Sequence, residues 1–191
     1  MKKFDVEIKR SASGNDPLPV GGYVAKIMNA EVKEYTWGDV LVVSFDIAEG
    51  EYKDFFANQY KANTNEDKKW KGNFRINVPQ ESNQWFESQK RTFGNAIACI
   101  EESNSGYHWD WNESALKGKM VGVLFRNFEW EMNGNTGWST ECGMFLSVDD
   151  VRNGKFKPMK DRPIKNKAAE KAEMNAGFVE ITADDDDLPF N

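Results

Sequence analysis

Cysteine and histidine are scarce in this chain of 191 residues, which contains two Cys and one His. Cys99 and Cys142 lie far apart and no Cys-x-x-Cys spacing occurs, which argues against a disulfide framework or a structural zinc site. A single imidazole, His108, cannot complete a zinc site unless the fold gathers both thiols around it. The sequence therefore predicts no metal site.

Long apolar runs are also missing. No stretch of about 18 apolar residues, the length needed to cross a bilayer, occurs in the chain. The opening MKKFDVEIKR alternates apolar and polar side chains where a secretory leader carries an apolar block. These absences argue against a membrane protein and favour a cytoplasmic location.

Recognisable catalytic motifs are absent as well. The chain contains no Gly-x-x-x-x-Gly-Lys-Ser/Thr loop, no Gly-x-Ser-x-Gly, no His-Glu-x-x-His and no dinucleotide fingerprint. Asp149 and Asp150 offer two carboxylates for magnesium, but acidic pairs are common at strand ends. We therefore expect no catalytic residue, no cofactor and no enzyme activity.

The net charge of −6 is distributed unevenly along the chain. Residues 152–167 contain seven Lys or Arg and one Asp, whereas residues 170–191 contain one Lys and seven Asp or Glu. A chain that segregates its charges in this way can present a cationic surface and still be acidic overall. The acidic total therefore does not exclude a nucleic-acid partner.

Alternating apolar residues predict mostly β structure. We expect strands at residues 23–36, 40–48 and 52–62, a helix from Ser82 as N-cap to Glu102, and strands at 119–132 and 138–148. A helix between the third and fourth of five strands is the order of an OB-fold barrel, although other small α+β domains share it. The predicted fold is an OB-fold-like five-stranded barrel with an extra N-terminal strand at residues 4–9.

The apolar periodicity fades near residue 150, which sets the predicted domain boundary. Residues 1–150 are expected to form the OB-fold-like domain, and residues 151–183, first basic and then of mixed charge, a flexible linker. Residues 184–191 form an acidic tip whose four adjacent aspartates repel one another and stay solvated. We therefore expect a disordered acidic C-terminal tail.

One stretch interleaves cations with aromatic rings. In EDKKWKGNFR, residues 66–75, four basic side chains surround Trp70 and Phe74. Single-stranded nucleic acid offers a phosphate per nucleotide and a flat base face, so this combination matches it without sequence readout. The alternative is a solvated charged loop in which Trp70 merely covers the barrel.

Further binding candidates come from the predicted barrel. In an OB-fold the ligand lies on the face of strands two and three and against the flanking loops. Trp37 and Trp138 lie beside the two turns expected to border that face, although core packing is the alternative for each ring. The predicted DNA-binding residues are Trp37, Lys53, Phe55, Tyr60, Lys61, Lys68, Lys69, Trp70, Lys71, Phe74, Arg75, Arg126, Trp130 and Trp138.

The chain ends in ITADDDDLPFN. This ending resembles the acidic tip of bacterial single-stranded-DNA-binding proteins, in which a run of aspartates precedes an Ile/Leu-Pro-Phe ending. In that family the tip docks on replication, recombination and repair enzymes, and the terminal Phe carboxylate meets a basic residue. Here Asn191 follows, so the free carboxylate lies one residue further on. The resemblance implies partner binding through Asp184, Asp185, Asp186, Asp187, Leu188, Pro189 and Phe190.

Two stretches of the body, GGYVAKIMNAEVKE and SALKGKMVGVLFRNFEW, resemble phage-encoded proteins found among replication and recombination genes. Together the resemblances imply a phage or prophage single-strand binder that protects DNA and recruits enzymes; the oligomeric state stays open, and an oligomer is compatible with the sequence. Two alternatives remain. One is an interaction protein or recombination accessory that binds protein only, and the other is a nuclease or other DNA-processing enzyme with metal-dependent activity.

Overall fold

The computed structural model of the chain describes residues 16–164, which form a five-stranded antiparallel sheet with helices packed against it. The strands are β1 (Gly21–Lys33), β2 (Val40–Ile47), β3 (Asn73–Asn77), β4 (Met120–Met132) and β5 (Asn135–Leu146). The helices are α1 (Phe55–Ala62), α2 (Phe86–Ser103) and α3 (Val148–Arg152), with a short 3-10 helix at Glu113–Leu116. The mostly β class predicted from the sequence is confirmed.

The strands lie in the order β3-β2-β1-β4-β5, which makes β3 and β5 the two edges. No backbone pairing joins these edges within residues 16–164, so the sheet is not closed into the five-stranded barrel that the sequence predicts. The edges still approach each other through side chains, because the rings of Phe74 on β3 and Phe145 on β5 lie 4.8 Å apart between centroids. The predicted helix between the third and fourth strands is present as α2.

The core lies between the inner face of the sheet and the helices α1 and α2. Alternate residues of β2 and β4, such as Val43, Phe45 and Val123, are fully buried there. The opposite face is covered as well, since a Cβ on Gly122 of β4 would lie 2.6 Å from Val151 of α3. In β2, seven of the eight residues are buried, so both faces of this strand are covered, which accounts for its nearly continuous apolar run.

The prediction of a third strand at residues 52–62 is wrong, because Phe55–Ala62 form α1. The carboxylate of Asp46, on β2, accepts hydrogen bonds from the backbone N–H groups of Phe56 (2.9 Å) and Ala57 (3.0 Å) and so caps this helix. The third strand is β3, Asn73–Asn77, which overlaps the end of the cationic stretch at residues 66–75, where no strand is predicted. Its residues alternate, with Ile76 buried and Arg75 exposed.

Two element boundaries also differ from the expectation. Helix α2 begins after Trp85 rather than at a Ser82 cap, and the Asn83 side chain accepts a hydrogen bond from the Trp85 N–H. The loop predicted at residues 133–137 is only two residues long, Asn133 and Gly134, with φ of 52° and 77°. Positive φ at both positions is typical of the tight turn that favours Asn-Gly. The β4–β5 pair forms a long ribbon. Pairing between β1 and β4 ends at Phe125, whereas pairing between β4 and β5 continues to the hairpin turn.

The predicted strand at residues 4–9 and the acidic tip at 184–191 lie outside the described residues, as does most of the predicted linker. The division of the chain at residue 150 stays a prediction. Helix α3 spans that position, and residues 155–164, here called the strap, continue from it across the sheet. Arg162 of the strap pairs with Phe128 of β4 in a parallel bridge.

Candidate functional site

A cleft of about 400 Å³ opens between α1, β3 and the β4–β5 ribbon, along the side where the sheet stays open. A volume of this order is typical of ligand sites. Most of its polar lining comes from the edge strands and the strap. Five of the predicted DNA-binding residues line the cleft together: Phe55, Lys71, Phe74, Arg75 and Arg126.

The cleft is cationic. Among residues 16–164, four basic residues line it, Lys71, Arg75, Arg126 and Arg162, together with one acidic residue, Glu141. Cations gathered in a concave surface raise the local concentration of anions, because the low-dielectric walls concentrate the field. The cleft is therefore suited to a polyanion, even though the whole chain carries a net charge of −6.

Glu141 bridges two of these cations. One carboxylate oxygen accepts from Nε of Arg126 at 3.0 Å, and the other accepts from a terminal nitrogen of Arg162 at 2.8 Å. The guanidinium of Arg162 also lies over the ring of Phe128, 5.5 Å from its centroid. Two guanidinium groups thus share one carboxylate.

A stacked aromatic pair, here called the ledge (Tyr35 and Trp37), lies in the connection between β1 and β2. The two rings are nearly parallel, with 5.0 Å between centroids, and Trp37 is 57% exposed. Arg75 donates a hydrogen bond of 2.6 Å to the Tyr35 hydroxyl and also lines the cleft. Arg75 therefore contacts the ledge and is also one of the residues that line the cleft.

Helix α1 adds cations and a ring beside the cleft. The Lys68 ammonium lies 4.6 Å from the centroid of the exposed Tyr60 ring, at cation–π distance. Lys69 and Lys71 line a small depression together with Tyr60. Lys53 and Lys61, at the two ends of the same helical region, are exposed to solvent. The predicted lysines Lys61, Lys68, Lys69 and Lys71 therefore lie on or beside α1, although this segment is a helix and not a strand.

Trp70 has a structural environment. Its indole N–H donates to the backbone carbonyls of Phe45 and Gly72, both at 3.0 Å, and its ring contacts Phe56 and Tyr60. A ring held in this way covers the core, which was the alternative interpretation of Trp70. Its partly buried position leaves less aromatic face for a base than the ledge offers.

The two predicted tryptophans of the ribbon lie on opposite faces. Trp130 pairs with Gly137, and a Cβ on that glycine would lie 2.6 Å from the indole, so the ring lies flat across β5. Trp138, the next residue of β5, alternates to the other face and is 52% exposed. Neither ring lines the cleft, so the structure does not bring them together with its cations.

Sequence reasoning missed two residues of this surface. Tyr35 falls in the strand predicted at residues 23–36, but it lies in the connection between β1 and β2, where its ring stacks on Trp37. Arg162 was counted among the basic residues of the linker, and no local pattern predicts that it returns to the cleft. Both contacts depend on chain segments that are distant in sequence.

The thiol of Cys142, in the wall of the cleft, is expected to be unreactive. Burial raises the pKa of Cys142 far above its ordinary value, so the thiol stays protonated at neutral pH. Among residues 16–164 no group of three or more His, Cys, Asp or Glu side chains is arranged to hold a metal ion. Within the same range no helix is long and apolar enough to span a membrane.

No model of a known protein family matches the chain, and no curated protein sequence is significantly similar to it. The interpretation of the cleft and the ledge therefore depends on their geometry and charge.

Proposed function

We propose that this protein binds single-stranded DNA with little sequence preference and protects it during replication or recombination. The observation that carries the proposal is the position of Arg75, which is one of the residues lining the cationic cleft and also donates a hydrogen bond to Tyr35 of the exposed ledge. A single strand of DNA lying along this surface contacts cations through its phosphates and a flat ring through its bases.

The physical basis is the pairing of two complementary interactions. Phosphate contacts supply affinity that is independent of sequence and falls with salt, while each base stacked on an aromatic ring contributes about 1–3 kcal/mol. A base can stack on Trp37 only when its own face is free. The paired and stacked bases of a duplex do not offer such a face, so the ledge favours single strands.

The fold is compatible with this role. We propose that the open five-stranded sheet, with α2 between its third and fourth strands, is an OB-fold-like arrangement in which the gap between β3 and β5 forms the mouth of the cleft. The connection between β1 and β2, which carries the ledge, corresponds to one of the two loops that flank the ligand in such folds.

The acidic tip supplies the second part of the proposal. Asp184 to Asp187 followed by Leu-Pro-Phe resemble a partner-docking ending, and we propose that replication or recombination enzymes bind it in a phage-infected or lysogenic cell. The body then holds the strand in the cytoplasm while the tip recruits the enzymes. The alternative, a protein that acts through protein contacts only, predicts no binding of oligonucleotides.

The test is a titration of the intact chain with a thymidine oligonucleotide and with a duplex of equal length, followed by intrinsic tryptophan fluorescence. We expect quenching by the single strand, at least tenfold weaker binding of the duplex, and a linear fall of log affinity with log salt concentration. Lys71→Gln is expected to weaken binding, and Lys117→Gln, an exposed lysine outside the cleft, to leave it unchanged. An absence of quenching even at low salt would overturn the proposal and favour the protein-only alternative.

A further inference from the structure

The strap, residues 155–164, fits into the sheet at two glycines. A Cβ on Gly22 of β1 would lie 2.7 Å from the ring of Phe156, and a Cβ on Gly143 of β5 would lie 2.6 Å from the sulfur of Met159. Only the missing side chains leave room for these strap residues. The strap is therefore packed against the sheet, in a region whose composition predicts a flexible linker.

The far end of the strap extends the sheet along the free edge of β4. The Arg162 N–H donates to the Asn127 carbonyl and the Glu129 N–H donates to the Arg162 carbonyl, both at 2.9 Å. The Asn127 amide donates to the Asp161 carboxylate at 2.9 Å, and the Ile164 N–H donates to the Glu129 carboxylate at 3.1 Å. These four bonds fix the backbone on both sides of Arg162 and direct its side chain across β4.

The side chain of Arg162 reaches over Phe128 to Glu141, where it meets Arg126. The two guanidinium groups present several N–H donors toward one carboxylate. A phosphodiester offers two equivalent oxygens in a similar fork, so it satisfies the same donors. The side chain of Arg162 is 54% exposed and that of Glu141 25% exposed, so solvent and ligands reach this ion pair.

We infer that Arg126 and Arg162 form a phosphate-binding site in which Glu141 holds both guanidinium groups in place until a phosphate of the bound strand replaces it. The inference rests on the proposed function, and it adds the strap to the binding domain. Phosphate binding is favoured because Arg126 and Arg162 share the one carboxylate of Glu141, which leaves these three side chains with a net positive charge that a phosphate neutralises.

The first test removes the strap cation. Arg162→Gln is expected to lower affinity for a thymidine oligonucleotide about fivefold to tenfold at low salt and to reduce the salt slope by about one unit, the signature of one lost phosphate contact. Lys157→Gln is the matched control, because it removes one exposed charge of the same strap that does not line the cleft. Equal effects of the two substitutions would overturn the inference.

The second test removes the competing carboxylate. Glu141→Gln keeps the shape of the side chain and eliminates its charge, so affinity is expected to rise about threefold to tenfold at low salt. A gain of affinity does not arise from misfolding, which makes this variant informative even if it is less stable. Unchanged or weaker binding by Glu141→Gln, in a variant whose free energy of unfolding equals that of the unmodified chain, would overturn the inference. If the unmodified chain binds no oligonucleotide, the proposed function itself fails, and the two failures are thereby distinguished.

Discussion

The indole of Trp37 stacks on the ring of Tyr35 with 5.0 Å between centroids and 13° between planes. Stacking on one face leaves the other face of Trp37 open to solvent, and the hydrogen bond from Arg75 to Tyr35 orients the supporting ring. Because one face of the Trp37 ring already packs against Tyr35, the side chain loses little conformational entropy when a base stacks on its other face. The ledge is therefore a preformed stacking surface.

Replacement of Trp37 by Ala should weaken binding of a thymidine oligonucleotide about tenfold, within the range of about 1–3 kcal/mol expected for one stacked base. Thermal stability should change little, because Trp37 is 57% exposed and adds little to the core. Fluorescence anisotropy of a labelled oligonucleotide measures the affinity. Trp85→Ala is the control, since Trp85 is 64% exposed but lies at the start of α2, outside the ledge and the cleft. An equal loss in both variants would contradict the role of the ledge.

Replacement of Asp46 by Asn should destabilise the fold by about 2–3 kcal/mol, because buried N–H groups lose a charged acceptor. The carboxylate of Asp46 accepts from the N–H groups of Ile47, Phe56 and Ala57, and an amide NH₂ in place of one oxygen faces a donor with a donor. Chemical denaturation measures the free energy of unfolding. Asp54→Asn is the matched control, since Asp54 is exposed and makes no side-chain cap. A change below 1 kcal/mol at Asp46 would mean that α1 does not depend on this cap.

The elements predicted correctly from the sequence are those with strong local patterns. β2 and β4 carry long alternating or continuous apolar runs, and α2 carries apolar residues at helical spacing through Phe93, Ile97 and Ile100, all of which are buried. The Asn-Gly pair marks the hairpin turn between β4 and β5. In each case the residues that determine the structure are close to one another in the sequence.

The elements missed depend on distant partners. The segment around Phe55 and Phe56 fits a strand or a helix equally well by pattern, and the decision comes from Asp46, which belongs to the preceding strand. Likewise nothing near Arg162 predicts its position, which is set by its backbone hydrogen bonds to Asn127 and Glu129 on β4. The residue types needed at the site were predictable from composition and spacing, whereas their grouping required the tertiary fold.

Both thiols should react slowly with a chromogenic disulfide reagent in the folded protein. Burial, followed by nearby carboxylates, raises the pKa of Cys99 from 9.0 to about 11, so about one thiol in a thousand is ionised at pH 8. The rate should be at least about a hundredfold lower than in denaturant, where both thiols are exposed. A raised pKa also means that the folded state favours the protonated thiol. The stability from this preference is complete below pH 9 and is lost as pH rises towards 11. Rapid reaction of the folded protein at pH 8 would contradict the burial.

Removal of residues 184–191 should raise affinity for single-stranded DNA. Four adjacent aspartates on the same chain compete with phosphates for the basic residues of the cleft, and a tether keeps their effective concentration high. The gain should be about threefold to tenfold at low salt and should shrink toward 0.3 M salt, where screening weakens the competition. Anisotropy titrations over a salt series, on the intact and the shortened chain, measure it.

A matched variant separates charge from the apolar ending. Asn at positions 184–187 should reproduce the gain of the shortened chain, whereas Ser in place of Leu188 and Phe190 should leave affinity at the level of the intact chain, because the aspartates remain. The Leu-Pro-Phe ending would then bind partner enzymes. In that case the variant with Ser in place of Leu188 and Phe190 should no longer capture those enzymes. Equal affinity of the intact and shortened chains at every salt concentration would show that the tip does not compete for the cleft, while leaving DNA binding by the cleft and the ledge intact.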